Sequence, residues 1–203
     1  MELALKRKEI YRLLNIAAQR AYTRGIQTGS GGNISARDAL DGHMIVKASG
    51  GSFADCTAEG DGFVITDFAG NRVNADDPKP TREFLLHGML YGLSDKINGV
   101  VHCHSPWSVA YAYENDVLPM TTHHVKLKLG HDIPVLDVDS AMLREAHIPL
   151  VQALFAKTPT LTAFILRGHG VVTIGKDVLE AEHNAELIEE TAQIATLRAL
   201  LAK

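Results

Sequence analysis

The sequence predicts a layered α/β fold whose sheet contains antiparallel pairs, and three observations point to it. Helical periodicity stands at both ends of the chain. Short apolar runs separated by turn residues fill the middle. Helices and strands alternate without the regular spacing of a parallel βαβ repeat.

Residues 3–24 place Ile10, Leu13, Leu14, Ala17, Ala18 and Ala21 at three- and four-residue intervals, an amphipathic helix that Gly25 ends. The run TGSGGNISAR, residues 28–37, is a glycine-rich loop entering a strand. HMIVKASG and GFVITDFAG follow as strands, the second closing in a Gly70-Asn71 turn. After Pro78 and Pro80, TREFLLHGMLYGL is helical, with Thr81 as the expected N-cap and Glu83 in the first turn. The strand GVVHCH comes next, then Pro106 and the short helix WSVAYAYEN, then a strand in DIPVLDV. Residues 145–156 are expected to be helical, and TAFILRGHGVVTIG is a strand that breaks at Gly168 and Gly170 and resumes. A long helix over 177–202 completes the series.

Composition narrows the function. Of 203 residues, 46% are hydrophobic and 22% charged, ordinary values for a chain with one core. The net charge of −4, with basic residues scattered, argues against a nucleic-acid partner. The charged start MELALKRKEI and the lack of a long apolar run argue against a membrane partner and favour a cytoplasmic location. Cys56 and Cys103 are read as buried small hydrophobes, not a disulfide.

The histidines carry the chemistry. In VVHCHSPWS, side chains alternate along the strand, so His102 and His104 share a face, roughly 6.5–7 Å apart. His169 lies between two glycines where backbone must approach something closely. Three neutral imidazoles with a carboxylate or water suit Zn²⁺ with an open position. Glu83 begins the helix just before the His-x-His strand, so the chain can fold back and bring its carboxylate to the same ion. A solvated first-turn carboxylate is the other reading of that residue. His87 lies one turn on, on the same helical face; His43, His131, His147 and His183 are read as surface or packing residues.

GSGGNIS, KASG, KPTREFLLHGMLY, VVHCHSPWS and RGHGVV together resemble, in order and spacing, the class II aldolase/adducin family across nearly the whole chain. The resemblance implies a three-layer α/β/α single domain over residues 1–203, with a central mixed, largely antiparallel sheet. It implies a divalent metal, Zn²⁺ or another such as Mn²⁺ or Co²⁺, held by His102, His104 and His169. Glu83 is then both resting ligand and proton shuttle; glutamate here is similar to the aldolases, aspartate to the epimerase members.

The same resemblance assigns phosphate binding to Gly32 and Asn33, to Ser49 and Gly50, and to Thr81 and Arg82. Arg82 replaces a small hydroxyl residue: it either pairs with phosphate or a carboxylate, or turns outward into solvent. Lys47 is similar to the epimerase turn and is expected to reach substrate, or else to be a surface strand lysine. His123 falls where the aldolases carry a tyrosine from a neighbouring subunit, making it a candidate second acid/base, with an exposed loop histidine as the plain reading.

The implied function is a metal-dependent lyase. It cleaves a short phosphorylated ketose, L-fuculose-1-phosphate-like, by retro-aldol chemistry through a metal-stabilised enediolate, giving dihydroxyacetone phosphate and an aldehyde. The alternatives on the same metal site are a sugar-phosphate epimerase, a 3-oxo-tetronate-phosphate decarboxylase and a methylthioribulose-phosphate dehydratase. A non-catalytic adducin-like interaction module is a further one. A homotetramer with active sites at subunit interfaces is expected by resemblance.

Overall fold

The structure, a computed structural model, describes residues 2–140 and 142–202. In chain order the elements are α1 (Glu2–Thr23), β1 (Asn33–Arg37), β2 (His43–Lys47), β3 (Phe63–Asp67), α2 (Phe84–Leu93), β4 (Gly99–Cys103) and α3 (Pro106–Glu114). They continue with β5 (Val117–Leu118), α4 (His123–Lys128), β6 (Ile133–Leu136), α5 (Ile148–Lys157), β7 (Ala163–Leu166), β8 (Gly170–Gly175) and α6 (Val178–Leu201). Short 3₁₀ turns cover Phe53–Asp55 and Glu145–His147.

The eight strands form one sheet in the order β3-β2-β1-β4-β8-β7-β6-β5. Every neighbouring pair is antiparallel except β6 and β7. Alternation divides the strand side chains between two cores. Ile34, Ile45, Val101, Ile165 and Val171 pack with α1 and α6 on one face. Met44, Val46, Val100, Phe164 and Val172 pack with α2 and α5 on the other. The sheet is therefore mixed and largely antiparallel between two helical layers, the fold class expected.

Three expectations are corrected. Residues 163–175 reverse direction: β7 and β8 pair antiparallel as a hairpin, with Leu166 opposite Gly170. His169 N–H donates to the Leu166 carbonyl at 3.0 Å, and Gly168 supplies the positive φ of 67° that the turn requires. Thr81 is not the cap of α2. Pro80 bridges to Ala48, and Thr81 N–H donates to the Lys47 carbonyl at 2.9 Å, so the backbone stays extended there and the helix starts only after Glu83. The stretch 119–126, read as a loop, contains the first turn of α4. Thr122 caps it by accepting from Val125 N–H at 3.2 Å, a Thr signal present in the sequence. Both cysteines are buried and free.

The long helix α6 sends carboxylates into the core. Glu189 accepts from the backbone N–H groups of Trp107 and Ser108 and from Ser108 Oγ, each at 2.8 Å. It thereby satisfies the start of α3, immediately after His104. Replacing Glu189 by alanine is expected to cost about 1–3 kcal/mol, because these donors are left unpaired in a buried setting. Urea unfolding of that variant measures it.

Glu182 is also buried, 3.3 Å from Arg20 of α1, with Glu186 one turn away facing Arg24. Burial, reinforced by Glu186, raises the Glu182 pKa well above its ordinary value. The folded chain then holds a proton that the unfolded chain releases, so unfolding free energy should fall as pH rises from about 5 through neutrality. The slope is at most about 1.4 kcal/mol per pH unit. Glu182→Gln should flatten that dependence in denaturant titrations, and an equally steep slope in the variant would assign it elsewhere.

Candidate metal centre

Strand pairing builds the site. Antiparallel register sets His102 beside Asn33 of β1 and Val172 of β8. His104 lies just past the end of β4, and the turn of the β7–β8 hairpin brings in His169. Glu83 arrives at the head of α2. One ligand atom from each of Glu83, His102, His104 and His169 lies within 4.8 Å of all the others. The three rings converge, with centroids 4.6–5.0 Å apart.

The protonation pattern suits a cation. His102 Nδ1 is 2.9 Å from the Val171 carbonyl, which can only accept, so Nδ1 carries the proton and Nε2 is bare. That bare nitrogen lies 3.3 Å from His169 Nε2 and 3.5 Å from Glu83 Oε2. Glu83 Oε1 is buried without a hydrogen-bond partner among the described residues, 3.8 Å from His169 Nε2. Burial, reinforced by the neighbouring imidazoles, lowers the pKa of His102 to about 3 and that of His169 to about 4. His104 is lowered by burial as well. A bare His102 nitrogen, an unpartnered carboxylate oxygen and two further neutral imidazoles thus converge on one space, and the donor set fits a divalent ion of the zinc type.

The surrounding backbone is shaped for close approach. A Cβ on Gly31 would stand 2.7 Å from His104 Nδ1, and one on Gly170 would stand 2.3 Å from the Cys103 carbonyl. Gly32 has φ of 62°, and a Cβ there would meet Gln27 Oε1. Gln27 Oε1 in turn accepts from His104 N–H at 2.9 Å, tying the glycine loop to the His-x-His segment.

The other residues singled out from sequence fall in three places. Ser49 N–H donates to the Lys79 carbonyl at 2.8 Å, so the exposed Ser49-Gly50 turn lies against the segment leading to Thr81 and Arg82. Thr81 is buried and its Oγ1 accepts from Glu83 N–H; Arg82 is exposed and makes no ion pair among the described residues. The Asn33 side chain is buried and donates to Glu83 Oε2 at 2.6 Å, and its backbone pairs with His102 of β4.

Lys47 is buried on the face of β2 shared with Ile45, opposite Phe63, away from the face that carries Asn33 and Ser35. Burial lowers its pKa. His123 is exposed on the first turn of α4, outside the four-ligand cluster.

Sequence reasoning missed Gln27, Ser35, Tyr91 and Arg167. Arg167 donates to the carbonyls of Ala112, Tyr113 and Asn115 at the end of α3 and pairs with Asp116 and Asp137. It anchors the turn that presents His169. Its place beside Gly168 and His169 was the available signal.

Such a fold with such a cluster defines a class: layered α/β proteins of the aldolase type with a candidate divalent-metal centre. Residues 12–196 match the family model described as the Class II Aldolase and Adducin N-terminal domain, and the chain belongs to this family. It is 32% identical over 177 residues to an L-fuculose phosphate aldolase from Methanococcus maripaludis, covering 85% of this chain and 88% of the relative. It is 30% identical over 181 residues to a 3-oxo-tetronate 4-phosphate decarboxylase from Haemophilus influenzae, covering 85% of this chain and 80% of the relative. The crystal structure of L-fuculose-1-phosphate aldolase from Thermus thermophilus superposes with a TM-score of 0.81 at 23% identity, covering 95% of each chain, a likeness of fold. No helix among the described residues is long and apolar enough to cross a membrane.

Proposed function

We propose that this chain is a metal-dependent lyase that cleaves a short phosphorylated ketose into dihydroxyacetone phosphate and an aldehyde. The observation that carries the reading is the convergence of ligand atoms from Glu83, His102, His104 and His169, with His102 Nε2 bare and Glu83 Oε1 unpartnered among the described residues. Those residues would hold the ion, Zn²⁺ or a similar divalent metal, and when bound it supplies Lewis-acid polarisation of a carbonyl oxygen.

The chain's own groups do the rest. We assign the phosphate to a frame of Gly32 and Asn33, the Ser49-Gly50 turn and the Thr81-Arg82 segment; the Ser49 N–H to Lys79 carbonyl bond, which ties that turn to the segment leading to Thr81, supports it. Lys47 enters this frame through its carbonyl, which accepts from Thr81. Cleavage requires a base to take the hydroxyl proton at the carbon that leaves as aldehyde. It also requires an acid to return a proton to the carbon that keeps the bonding pair. We assign the second task to Glu83, whose Oε1 has no hydrogen-bond partner among the described residues: the carboxylate takes a proton from solvent and delivers it to that carbon. His123 from a neighbouring copy of the chain is our candidate for the first. That assignment requires more than one copy of the chain, and the homotetramer implied by the family resemblance would satisfy it.

The test incubates metal-loaded protein with L-fuculose 1-phosphate, L-rhamnulose 1-phosphate and 5-deoxyribulose 1-phosphate, and follows aldehyde and dihydroxyacetone phosphate. Release of both supports the lyase. A second reading, decarboxylation of a 3-oxo sugar-acid phosphate, draws on Arg82, an exposed cation beside the anion frame that suits a carboxylate. Carbon dioxide from 3-oxo-tetronate 4-phosphate without aldehyde release from the ketoses would replace the first reading with the second. For the shared site, mixing inactive Glu83→Gln and His123→Ala chains should restore part of the activity, since some interfaces then join an intact Glu83 to an intact His123. Mixtures as inactive as their components would place His123 outside the reaction.

A further inference from the structure

A buried chain of hydrogen bonds runs from Tyr91 to Glu83. Tyr91 Oη lies 2.7 Å from Ser35 Oγ, and Ser35 Oγ lies 2.7 Å from His87 Nδ1. His87 Nε2 contacts Asn33 Oδ1, and Asn33 Nδ2 donates to Glu83 Oε2 at 2.6 Å. All five side chains are at least nine-tenths buried, so their polar atoms depend on one another.

The direction of the chain is determined. A carboxylate accepts only, so Asn33 turns its N–H toward Glu83 and its carbonyl toward His87. That carbonyl needs a donor, so His87 carries its proton on Nε2 and its Nδ1 accepts from Ser35. Ser35, having given its hydrogen, accepts from Tyr91. Burial keeps the imidazole neutral, which supports the single-proton form. The reverse order sets the Asn33 carbonyl against Glu83 Oε2 and leaves the Tyr91 hydroxyl hydrogen without an acceptor in the chain. An amide does not relay a proton, so this arrangement orients Glu83 without passing protons between it and Tyr91.

We propose that His87 is a positioning residue that acts through Asn33. It fixes the Oε2 edge of Glu83 and thereby presents Oε1 to the space shared with His102, His104 and His169. Ser35 and Tyr91 set which nitrogen of His87 carries the proton. The inference rests on the metal reading above, which supplies the role of the presented edge.

Cobalt(II) is the probe, titrated into metal-free protein and followed by its visible absorption. His87→Leu, which removes the donor and keeps the bulk, should weaken Co²⁺ binding by about 10–100-fold and change the spectrum. His87→Gln, whose amide can still donate to Asn33, should recover most of both. Asn33→Ala combined with His87→Leu should bind no more weakly than Asn33→Ala alone, because the two act in series. A purely structural role for His87 would lower unfolding stability and leave affinity and spectrum unchanged. That result in a folded His87→Leu protein overturns the proposal.

Should His87→Leu not fold, Ser35→Ala makes the same test with a smaller change. It frees the imidazole to adopt the other proton position, and at least an approximately threefold loss of affinity is expected; unchanged affinity overturns the proposal. Wild-type protein that binds no Co²⁺ would overturn the metal reading itself. Wild-type binding matched by His87→Leu would overturn only the positioning role.

Discussion

Glu83→Gln is expected to lower turnover by about 10²–10⁴-fold at saturating metal, the range for losing a positioned proton carrier. The change preserves shape, and the three imidazoles remain to hold the ion. Metal affinity should nonetheless fall. Asn33 Nδ2 claims one oxygen at this position, so the glutamine amide places its oxygen there and its amino group where Oε1 faced His169. A donor then points at the cation. Metal content and turnover measured on the same preparation separate the two effects. Turnover within a few-fold of wild type at full metal loading would remove Glu83 from the proton-transfer role.

Gly88→Ala carries the largest expected effect on stability. A Cβ at this position of α2 would lie 1.9 Å from the Phe68 carbonyl oxygen, a backbone atom that cannot swing aside. The helix is held close there by Tyr91, whose ring stacks on Phe68 with centroids 5.4 Å apart. Separating the two costs that packing as well as the displaced core, so about 3 kcal/mol or more of unfolding free energy should be lost. In a chain of this size that corresponds to a fall of roughly 6–12 °C in Tm. Gly92, on the same helix, has nothing within 4 Å of a Cβ. Gly92→Ala should therefore be neutral or stabilising by up to about 1 kcal/mol. Equal losses in both variants would mean that something other than the Phe68 contact destabilises alanine in this helix.

Much of the site is legible in the sequence because its residue types are rare in their settings. Two imidazoles on one strand and another between glycines have few uses in a core, and Glu83, His102, His104 and His169 do stand together. The helices and most strands follow from periodicity for the same reason: burial imposes a local repeat. What local pattern does not contain is register. Asn33 reads as a loop residue near an anion, yet pairing of β1 with β4 turns its side chain to Glu83. Lys47 reads as a substrate contact, yet its parity along β2 sends it to the other face. The β7–β8 reversal escaped notice because a strand that breaks and one that turns back share the same glycines. Arg167 was hidden likewise, since its partners Asp116 and Asp137 lie on separate connections.

The ligands come from positions far apart along the chain, and their meeting point depends on β4 already lying against β8. An ion therefore has no complete nest to enter while the sheet is still assembling. The cores on both faces of the sheet are built from apolar side chains, none of them a ligand. On the proposed function, arming the site is therefore the last step in making this molecule, since the sheet must be built before the four ligands meet.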